Sequence, residues 1–543
     1  MMQRLICLTA LSLFLAAPAY ALVDLKNANF SDAWIDLVIP GTGYDLRVER
    51  AYNSRTLFNG IFGFAWCSDF ETKIDVTPEG NLKLTECGAG QETLYKASGF
   101  SEKEIDKTLK NVLEHVKKEN PTASSSYYAD LERRLRGDTA LRSEYAAKFN
   151  IVRDIPDKTK FIANGNEIDQ IEKNGPYYIR YLADGSLQKF ALNGRLEKLY
   201  DRNNNFITLN YEGKLLHDVS DNNGRKITFT FYENGKVKTI TGPGGTKTEY
   251  KFKNLNELVY VKVASGNIFT YEYDDVHNLT KINFPDKTTK EMTYNKNMDW
   301  ITSFKDVDGC LENYDYKQST DNPKDHYWAT VEKKCKKTVV LKAKYEFWYE
   351  FNSSHTAKYL RRSKTTENDS VTDATYNEGG KPVSVARNGK TTKYDYFDNG
   401  LLKKKVTPDG VVTVLKYDNP YKKVSKVTRG NKSSDFLYDL KGNLIKASNS
   451  DGQRITISYD THGRISIIED QAKRKVSIKY EERFGKPSVI DREGLGSINV
   501  TYTPKGDVAK VTSGAGSNVA IQVASTFSNL LDLIQPAGVN LTF

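Results

Sequence analysis

Four cysteines lie beyond the first 21 residues of this 543-residue chain: Cys67, Cys87, Cys310 and Cys335. Thiols can form disulfide bonds or bind a metal ion, but the Cys-x-x-Cys spacing common in zinc sites does not occur here. Turn-forming residues lie midway between the first two cysteines, at 77–80, and midway between the last two, at 321–323. Because a hairpin would bring both members of each pair together, we expect two local disulfides and no metal or other cofactor.

Two tryptophans, Trp328 and Trp348, form a second candidate site. Trp348 lies between Glu346 and Glu350, in a stretch whose alternate positions are all aromatic. Exposed aromatic rings near lysines can stack on sugar rings or on bases. The same residues also fit a strand whose aromatic face is buried in the core and whose single tryptophan on the other face has no binding role. The sequence leaves both interpretations open.

Catalytic motifs are missing from the sequence. The six histidines are dispersed, and no metalloprotease helix, nucleophile elbow, phosphate loop or dinucleotide fingerprint occurs. Asp306 and Asp308 resemble the start of a calcium loop, but its twelfth position would be Lys317 and not a glutamate. We therefore expect a protein that is not an enzyme.

The formal net charge of +10 comes from lysine-rich patches such as 333–337 and 403–405. Such patches could meet an anionic envelope surface, a polysaccharide or nucleic acid. They are also typical of a solvated face that keeps strand edges from pairing. We expect an envelope component, glycan or protein partner, and no nucleic acid.

The N-terminus has the pattern of a secretory signal peptide. Arg4 precedes an apolar run at 5–17, and Ala19 and Ala21 form a small-x-small cleavage site. No later stretch approaches the roughly 18 apolar residues of a membrane span. We expect an exported protein, secreted, at the cell surface or in the periplasm, that does not span a membrane.

A repeated sequence motif predicts the strands and turns on which these residues lie. Tyr438, Asp439 and Gly442 recur 21 positions later as Tyr459, Asp460 and Gly463, and similar phrases follow at steps of 20–22 residues. The aspartate can accept backbone amides two residues on, and the glycine can adopt a positive φ, so each phrase predicts a turn. Between turns the apolar residues alternate, which predicts strands that stack side by side into one antiparallel sheet.

The repeated Tyr-Asp phrase resembles the YD repeat of Rhs and teneurin-like proteins. The resemblance covers residues 24–95 and 195–512, and the segment 199–205 is similar to the start of Rhs repeat arrays. It implies a mainly β fold, an antiparallel β-spiral or partial shell, with an N-terminal module like the domain that precedes Rhs repeats. The family's closing motif is missing, and about 28 strands at ~4.8 Å span roughly one circuit of a wide spiral.

The chain divides by pattern into five segments. They are a signal peptide (1–21), an N-terminal Rhs-type β-module (22–100), a helical insertion (101–150), the YD-repeat array (151–513) and a linker with an amphipathic tail (514–543). In the insertion, Ser101 and Glu104 predict a capping box at the start of the first of three helices. The insertion at 101–149 either docks a partner or decorates a loop.

Two functions fit these observations. The first is an exported, non-catalytic YD-repeat scaffold that engages envelope components, glycans or a protein partner, through residues 101–149 or through the tryptophans. The alternative is a component of an Rhs-type polymorphic toxin delivery system that lacks its own toxin domain.

Overall fold

The computed structural model describes residues 22–86, 91–151, 153–163, 166–254, 256–353, 358–503 and 508–513. The predicted signal peptide, Cys87 and the predicted linker and tail at 514–543 lie outside these residues. Within them the chain forms 42 strands and three α-helices. The predicted mainly β fold with a small helical insertion is confirmed.

An N-terminal module, residues 22–72, forms a small sheet of its own in the order β1-β2-β3-β6, with a separate β4–β5 hairpin. Its elements are β1 (Leu22–Asp24), β2 (Asn29–Ile39), β3 (Leu46–Asn53), β4 (Asn59–Gly60), β5 (Gly63–Phe64), β6 (Trp66–Cys67) and a 3₁₀ helix (Asp69–Glu71). Strand β3 buries Leu46, Val48 and Tyr52 almost completely, so its apolar positions need a second surface to pack against.

The main sheet contains strands β7 to β42, each hydrogen bonded antiparallel to the next. Its first half comprises β7 (Lys73–Val76), β8 (Leu82–Glu86), β9 (Gln91–Ala97), β10 (Lys160–Ala163), β11 (Asn166–Asn174), β12 (Tyr177–Tyr181), β13 (Leu187–Ala191), β14 (Leu196–Tyr200), β15 (Phe206–Glu212), β16 (Leu215–Asp221), β17 (Lys226–Phe231), β18 (Val237–Thr241), β19 (Lys247–Lys253), β20 (Glu257–Lys262), β21 (Ile268–Tyr273), β22 (Leu279–Asn283), β23 (Thr289–Asn295) and β24 (Trp300–Lys305).

The sheet continues with β25 (Leu311–Gln318), β26 (His326–Cys335), β27 (Thr338–Phe351), β28 (Lys358–Glu367), β29 (Ser370–Tyr376), β30 (Pro382–Arg387), β31 (Lys390–Tyr396), β32 (Leu402–Val406), β33 (Val412–Lys416), β34 (Lys426–Arg429), β35 (Lys432–Tyr438), β36 (Leu444–Asn449), β37 (Arg454–Tyr459), β38 (Ile465–Asp470), β39 (Lys475–Tyr480), β40 (Pro487–Arg492), β41 (Gly496–Tyr502) and β42 (Val508–Ser513). A short 3₁₀ helix, Pro243–Gly245, connects β18 to β19.

The predicted boundary of the N-terminal module at residue 100 does not follow the sheet. Strands β7–β9 belong to the main sheet, because Ala97 of β9 pairs with Phe161 of β10 across the whole helical insertion. The sheet also closes on itself near its start. The Ile74 amide donates to the Gly194 carbonyl at 2.9 Å, and the backbones of Lys73 and Arg195 form an isolated antiparallel β-bridge. The array therefore begins before the insertion, and the insertion connects two strands that are neighbours in the sheet.

The insertion folds as α1 (Lys103–Glu119), α2 (Ser125–Gly137) and α3 (Thr139–Lys148), close to the predicted helices. The predicted capping box at Ser101 does not form, because α1 is preceded by Glu102 without a side-chain cap and the Glu104 carboxylate instead pairs with Arg153 at 2.5 Å. The buried Arg142 of α3 pairs with the buried Glu79 in the turn after β7, which fixes the insertion to the sheet.

The repeat motif builds its turns by local hydrogen bonds. Asp460 accepts the amides of His462 and Arg464, each at 2.9 Å, and Gly463 has a φ of +79°. The Tyr459 hydroxyl donates to the Leu444 carbonyl at 2.8 Å, one repeat earlier. Each tyrosine thus ties its own hairpin to the preceding one, and this explains why the residue recurs with the turn.

The sheet winds back onto itself after about eleven repeats. The Asn443 amide group donates to the Asn203 side chain at 3.0 Å, and the Asn205 amide group donates to the His462 carbonyl at 3.0 Å. These partners are 240 and 257 positions apart. One edge of the first coil therefore meets the opposite edge of the next, and the predicted β-spiral winding is confirmed.

Candidate ligand-binding surface on the longest hairpins

The N-terminal module defines the two faces of the main sheet. Its buried Arg50 bonds the hydroxyl of Tyr271 in β21 at 2.5 Å, and its Trp66 ring N–H donates to the hydroxyl of Tyr273 at 2.9 Å. Asp36 of the module accepts the hydroxyl of Tyr250 at 2.8 Å. We call the face that touches the module the inner face, and the opposite face the outer face.

Strands β25–β28 are longer than their neighbours and carry the predicted site residues. They contain 8, 10, 14 and 10 residues. The predicted disulfide Cys310–Cys335 is formed and joins the start of β25 to the end of β26. Cys67 is buried in β6 and Cys87 lies outside the described residues, so the other disulfide stays a prediction.

The register places both predicted tryptophans on the outer face of these long hairpins. Trp348 pairs directly with His326 across β26 and β27, while Trp328 pairs with Glu346. The His326 ring stacks on Trp348 with centroids 4.7 Å apart and lies 5.6 Å from the Trp328 ring. Two tryptophans that are 20 positions apart in sequence therefore share one aromatic cluster through a histidine that the sequence analysis did not single out.

Cations cover parts of this cluster. Lys344 lies 4.5 Å from the Trp328 ring centroid, and Arg362 lies 4.7 Å from that of Trp348. Trp348 is consequently flanked by His326 on one neighbouring strand and by Arg362 on the other. A ligand that stacks on Trp348 would have to displace one of them, whereas the Trp328 ring has Lys344 over it and the tilted His326 ring 5.6 Å away.

Carboxylates hold both cations in place. Lys344 pairs with Glu346 at 2.8 Å, and Arg362 pairs with Asp373 at 2.5 Å. The hydrogen bond from Arg362 keeps the pKa of the Asp373 carboxyl below its usual value. The cluster thus combines rings with paired charges, which suits the recognition of polar, weakly charged groups.

A cavity of about 520 Å³ opens beside the cluster. Outer-face polar side chains of four successive strands line it: Asn313, Asp315, Thr330, Glu332, Lys342 and Thr366. Lys344 belongs to the lining as well, so one side chain contacts both the cavity and the Trp328 ring. Sequence reasoning missed this cavity because alternation gives the face of each residue but not the register that brings the four strands together.

The predicted repeat-turn residues lie elsewhere, at the junction between coils of the spiral. The turns that contain Asp439 with Gly442 and Asp460 with Gly463 face the turn at 201–205. Adjacent to them, Thr42 of the N-terminal module donates to the Glu482 carbonyl at 3.2 Å and accepts from Arg464 at 3.1 Å. We call these contacts the coil junction.

The described residues contain no group of three or more His, Cys, Asp or Glu side chains placed to hold a metal ion. No helix within the described ranges has the length and apolar character needed to cross a bilayer. The cluster and its cavity present aromatic rings, amides, hydroxyls and paired charges on four neighbouring strands.

Fold and site together define a repeat-built, self-winding β-sheet protein with a module packed on its inner face. Residues 22–94 match a family described as a domain of unknown function, DUF6531. No curated protein matches the chain.

Among solved structures, the chain is similar to the crystal structure of TcdB2-TccC3-TEV, with 11% identity over 89% of this chain and 29% of that one and a TM-score of 0.39. It is also similar to the Photorhabdus luminescens Tc holotoxin pore, with 12% identity over 89% of this chain and 28% of that one and a TM-score of 0.34. The chain thus spans less than a third of the length of these structures.

Proposed function

We propose that this protein is an exported, non-catalytic scaffold of the YD-repeat type that binds a glycan of the cell envelope through the outer face of β25–β28. The observation that carries the proposal is that Lys344 lies over the Trp328 ring and also lines a cavity of about 520 Å³, to which polar side chains of four strands contribute. Sugars are bound in proteins by a ring under the sugar and by amides, hydroxyls and carboxylates around its rim, and this surface supplies both.

Two further observations support the scaffold part of the proposal. The disulfide Cys310–Cys335 braces the long hairpins, and disulfides persist in oxidising compartments outside the cytoplasm. The sheet from β7 to β42 is continuous, so the surface sits on a framework whose strands support one another on both sides. A rigid framework positions binding groups better than a loop does.

The proposal is tested by glycan-array binding and titration calorimetry of the full chain. Trp328→Ala should weaken binding about fivefold or more, because an aromatic stacking contact contributes about 1–3 kcal/mol. Trp348→Ala should have a smaller effect, since His326 and Arg362 already flank its ring.

Tyr260→Ala is the matched control. Its ring has a lysine, Lys251, at 4.6 Å, as Trp328 has Lys344 at 4.5 Å, but it lies on β20, away from the cavity. Binding that is weakened equally by both substitutions, or by neither, would contradict the site. Export is tested separately by fractionating cells that express the full chain.

The second candidate is a component of an Rhs-type polymorphic toxin delivery system whose toxin is encoded separately. The winding of the sheet into successive coils favours it, because a wound sheet is the architecture that the Tyr-Asp repeat implies in that family. A toxin and immunity gene pair beside this gene, together with co-purification of that toxin, would support this candidate. Stable binding of glycans without any such neighbour would favour the first.

The insertion is the proposed contact for a protein partner in either case. Its anchor, the buried pair Arg142–Glu79, joins α3 to the turn after β7 and leaves most of α1 and α2 facing solvent. Since β9 and β10 are neighbours in the sheet, a short linker can replace residues 101–149. Loss of a defined partner on this replacement, with an unchanged melting temperature, would support the docking role.

A further inference from the structure

The net charge of this protein is concentrated in one stretch of the chain. Residues 381–432 contain thirteen Lys and Arg against four Asp and no Glu, a net charge of +9, while the whole chain carries +10. The other 491 residues are therefore almost neutral. A charge excess of this density attracts anions over a distance set by the ionic strength.

Strands β30–β34 hold this stretch, and the register shows which lysines share a face. Lys393 of β31 pairs with Ser384, which pairs with Thr375, which in turn pairs with Arg362 of the outer face. Lys404 of β32 pairs with Asp395, two positions along β31 from Lys393. All of these side chains therefore lie on the outer face.

Lys416 of β33 completes the set. It lies two positions beyond Val414, which pairs with Lys404. One lysine on each of three successive strands thus points outward, at Lys393, Lys404 and Lys416, and we call these three residues the basic wall.

Asp395 lies opposite Lys404 on the same face, but no wall lysine forms an ion pair with a carboxylate of the described residues. Lys393 and Lys416 are exposed and Lys404 is half-buried, and none of the three has a described carboxylate within 4 Å. Lys416 even pairs directly with Lys426, and like charges opposite each other destabilise a sheet. The Lys426 ammonium forms an ion pair with Asp435 at 2.9 Å, so the Lys416 charge is left facing solvent.

From this arrangement we infer that the basic wall is a binding surface for an acidic polysaccharide. A polymer with regularly spaced carboxylates or sulfates would neutralise a row of lysines one strand apart. Within β31–β34 the rows that contain the wall hold Val406, Val412, Val414, Thr428, Asp395 and Lys426 and no aromatic ring. The Lys393 row reaches an aromatic ring at Trp348, four strands away. Single-stranded nucleic acids are held largely by aromatic stacking, and duplexes by an element that enters a groove, so a flat lysine surface fits neither well.

Lysine itself suits this partner. Its ammonium is a compact, strongly hydrated point charge, without the planar fork that arginine uses for bidentate recognition of phosphate. All three wall residues are lysines. The choice of a polysaccharide over another polyanion rests on the export proposed above, since acidic polymers of the envelope are what an exported protein meets.

The experiment uses the full chain and sodium polygalacturonate as the probe, with oligothymidylate and neutral dextran beside it. The variant K393Q/K404Q/K416Q removes the wall. The control K238Q/K251Q/K262Q removes three exposed lysines from three successive strands of the first half, β18–β20, with the same change in net charge. Binding is measured by calorimetry at several salt concentrations, and folding by thermal melting.

We expect polygalacturonate to bind the unaltered protein and dextran not to compete. The wall variant should bind about tenfold or more weakly and with a shallower salt dependence, because each lost ion contact removes a screened attraction. The control should stay within about twofold of the unaltered protein. Equal weakening by both variants would overturn the wall as a site and leave only the general charge.

Tighter binding of oligothymidylate than of polygalacturonate, or equal binding of both with the same dependence on the wall, would overturn the assignment to a polysaccharide. Retention of the protein inside fractionated cells would contradict the proposed export but not wall-dependent binding in solution. The failure of the inference and the failure of the proposed function can therefore be told apart.

Discussion

The first and the second half of the main sheet are built from the same repeat but face different neighbours. In β15–β27 the inner face packs against the N-terminal module, and one cluster of buried side chains runs from Phe30 to Ala343. In β28–β32 this cover is absent: between Phe347 and Leu415, Ala374 is the one almost fully buried apolar side chain among the described residues. The later strands bury a smaller cluster of their own, centred on Phe436 and Ile457.

The repeat determines the turns of both halves, whereas packing against the N-terminal module determines the inner-face residues of the first half. The turn chemistry is the same in both halves, since Asp274 and Asp460 each accept backbone amides two and four positions on. The inner face differs because in the first half it must also fit the module. Arg50 is the centre of that fit: fully buried, it bonds Asp36 at 2.7 Å and lies over the Trp66 ring at 4.5 Å.

The largest expected effect comes from removing this arginine. Arg50→Ala leaves Asp36 as an unpaired buried charge, and breaking a buried ion pair costs about 3–5 kcal/mol of unfolding free energy. Urea unfolding measures the loss, and hydrogen exchange locates it. We expect faster exchange in β20–β24, which contact the module, and unchanged exchange in β35–β41.

Arg492→Ala provides the matched control in the second half. Arg492 is also buried, but its recorded bond is to the Lys475 carbonyl at 3.1 Å and not to a carboxylate. Its loss should cost less than that of Arg50 and should speed exchange in β39–β41. If Arg50→Ala loosened both halves equally, the two halves would be one cooperative unit and the comparison would fail.

Features that depend on local sequence could be predicted, and features that depend on distant partners could not. The turns at Asp439 and Asp460 and the disulfide Cys310–Cys335 follow from residues within one hairpin. The Arg50 site was missed because Tyr250 and Tyr271 lie 200 or more positions away. The aromatic cluster lies between these cases. Alternation placed Trp348 opposite the aromatic face of its own strand, but the strand register that brings Trp328 and His326 beside it could not be predicted.

The disulfide should have the next largest effect, at the border between the halves. Replacing both cysteines, C310S/C335S, removes a crosslink across 25 positions, which stabilises the folded chain by about 3 kcal/mol in the usual chain-entropy account. Thermal melting with and without reductant measures it. The unaltered protein should melt lower in reductant, and the double variant should respond only as far as the second predicted disulfide, Cys67–Cys87, contributes.

A smaller effect is expected at the coil junction. Gly485 has a φ of +63°, and a Cβ there would come within 2.8 Å of the Gly41 carbonyl oxygen, which belongs to the backbone. Gly494 has a φ of +79° but open space around it. Alanine at either position costs about 1–2 kcal/mol for its left-handed conformation, so Gly485→Ala should cost clearly more than Gly494→Ala.

Denaturant unfolding of the two glycine variants isolates the junction, because their conformational penalties cancel in the difference. Hydrogen exchange in the turn at 201–205, on the far side of the junction, should rise only in Gly485→Ala. Equal losses in the two variants would show that the close approach of Gly485 to the Gly41 backbone of the N-terminal module does not stabilise the junction.

The smallest expected effect is a pH dependence below about pH 7 that originates in the first half. Glu71 lies in the N-terminal module, where burial raises the pKa of its carboxyl to about 7 although it accepts the Ile61 amide at 2.7 Å. The folded state thus binds this proton more tightly than the unfolded chain, so stability is fully present below about pH 4.5 and falls as the pH rises towards 7. Allowing for partial exposure, the loss is on the order of 1–2 kcal/mol.

Glu71→Gln should remove this slope, because glutamine keeps an acceptor for the Ile61 amide but carries no charge at any pH. Unfolding free energies measured between pH 4.5 and 8 would show it, with Glu233→Gln, an exposed carboxylate in a turn of the same half, as the control that keeps the slope. Exchange rates in β35–β41 should not follow the titration. A slope that survived in Glu71→Gln would place the titrating group elsewhere, and Asp69, whose pKa burial raises to about 6, would be the next residue to replace.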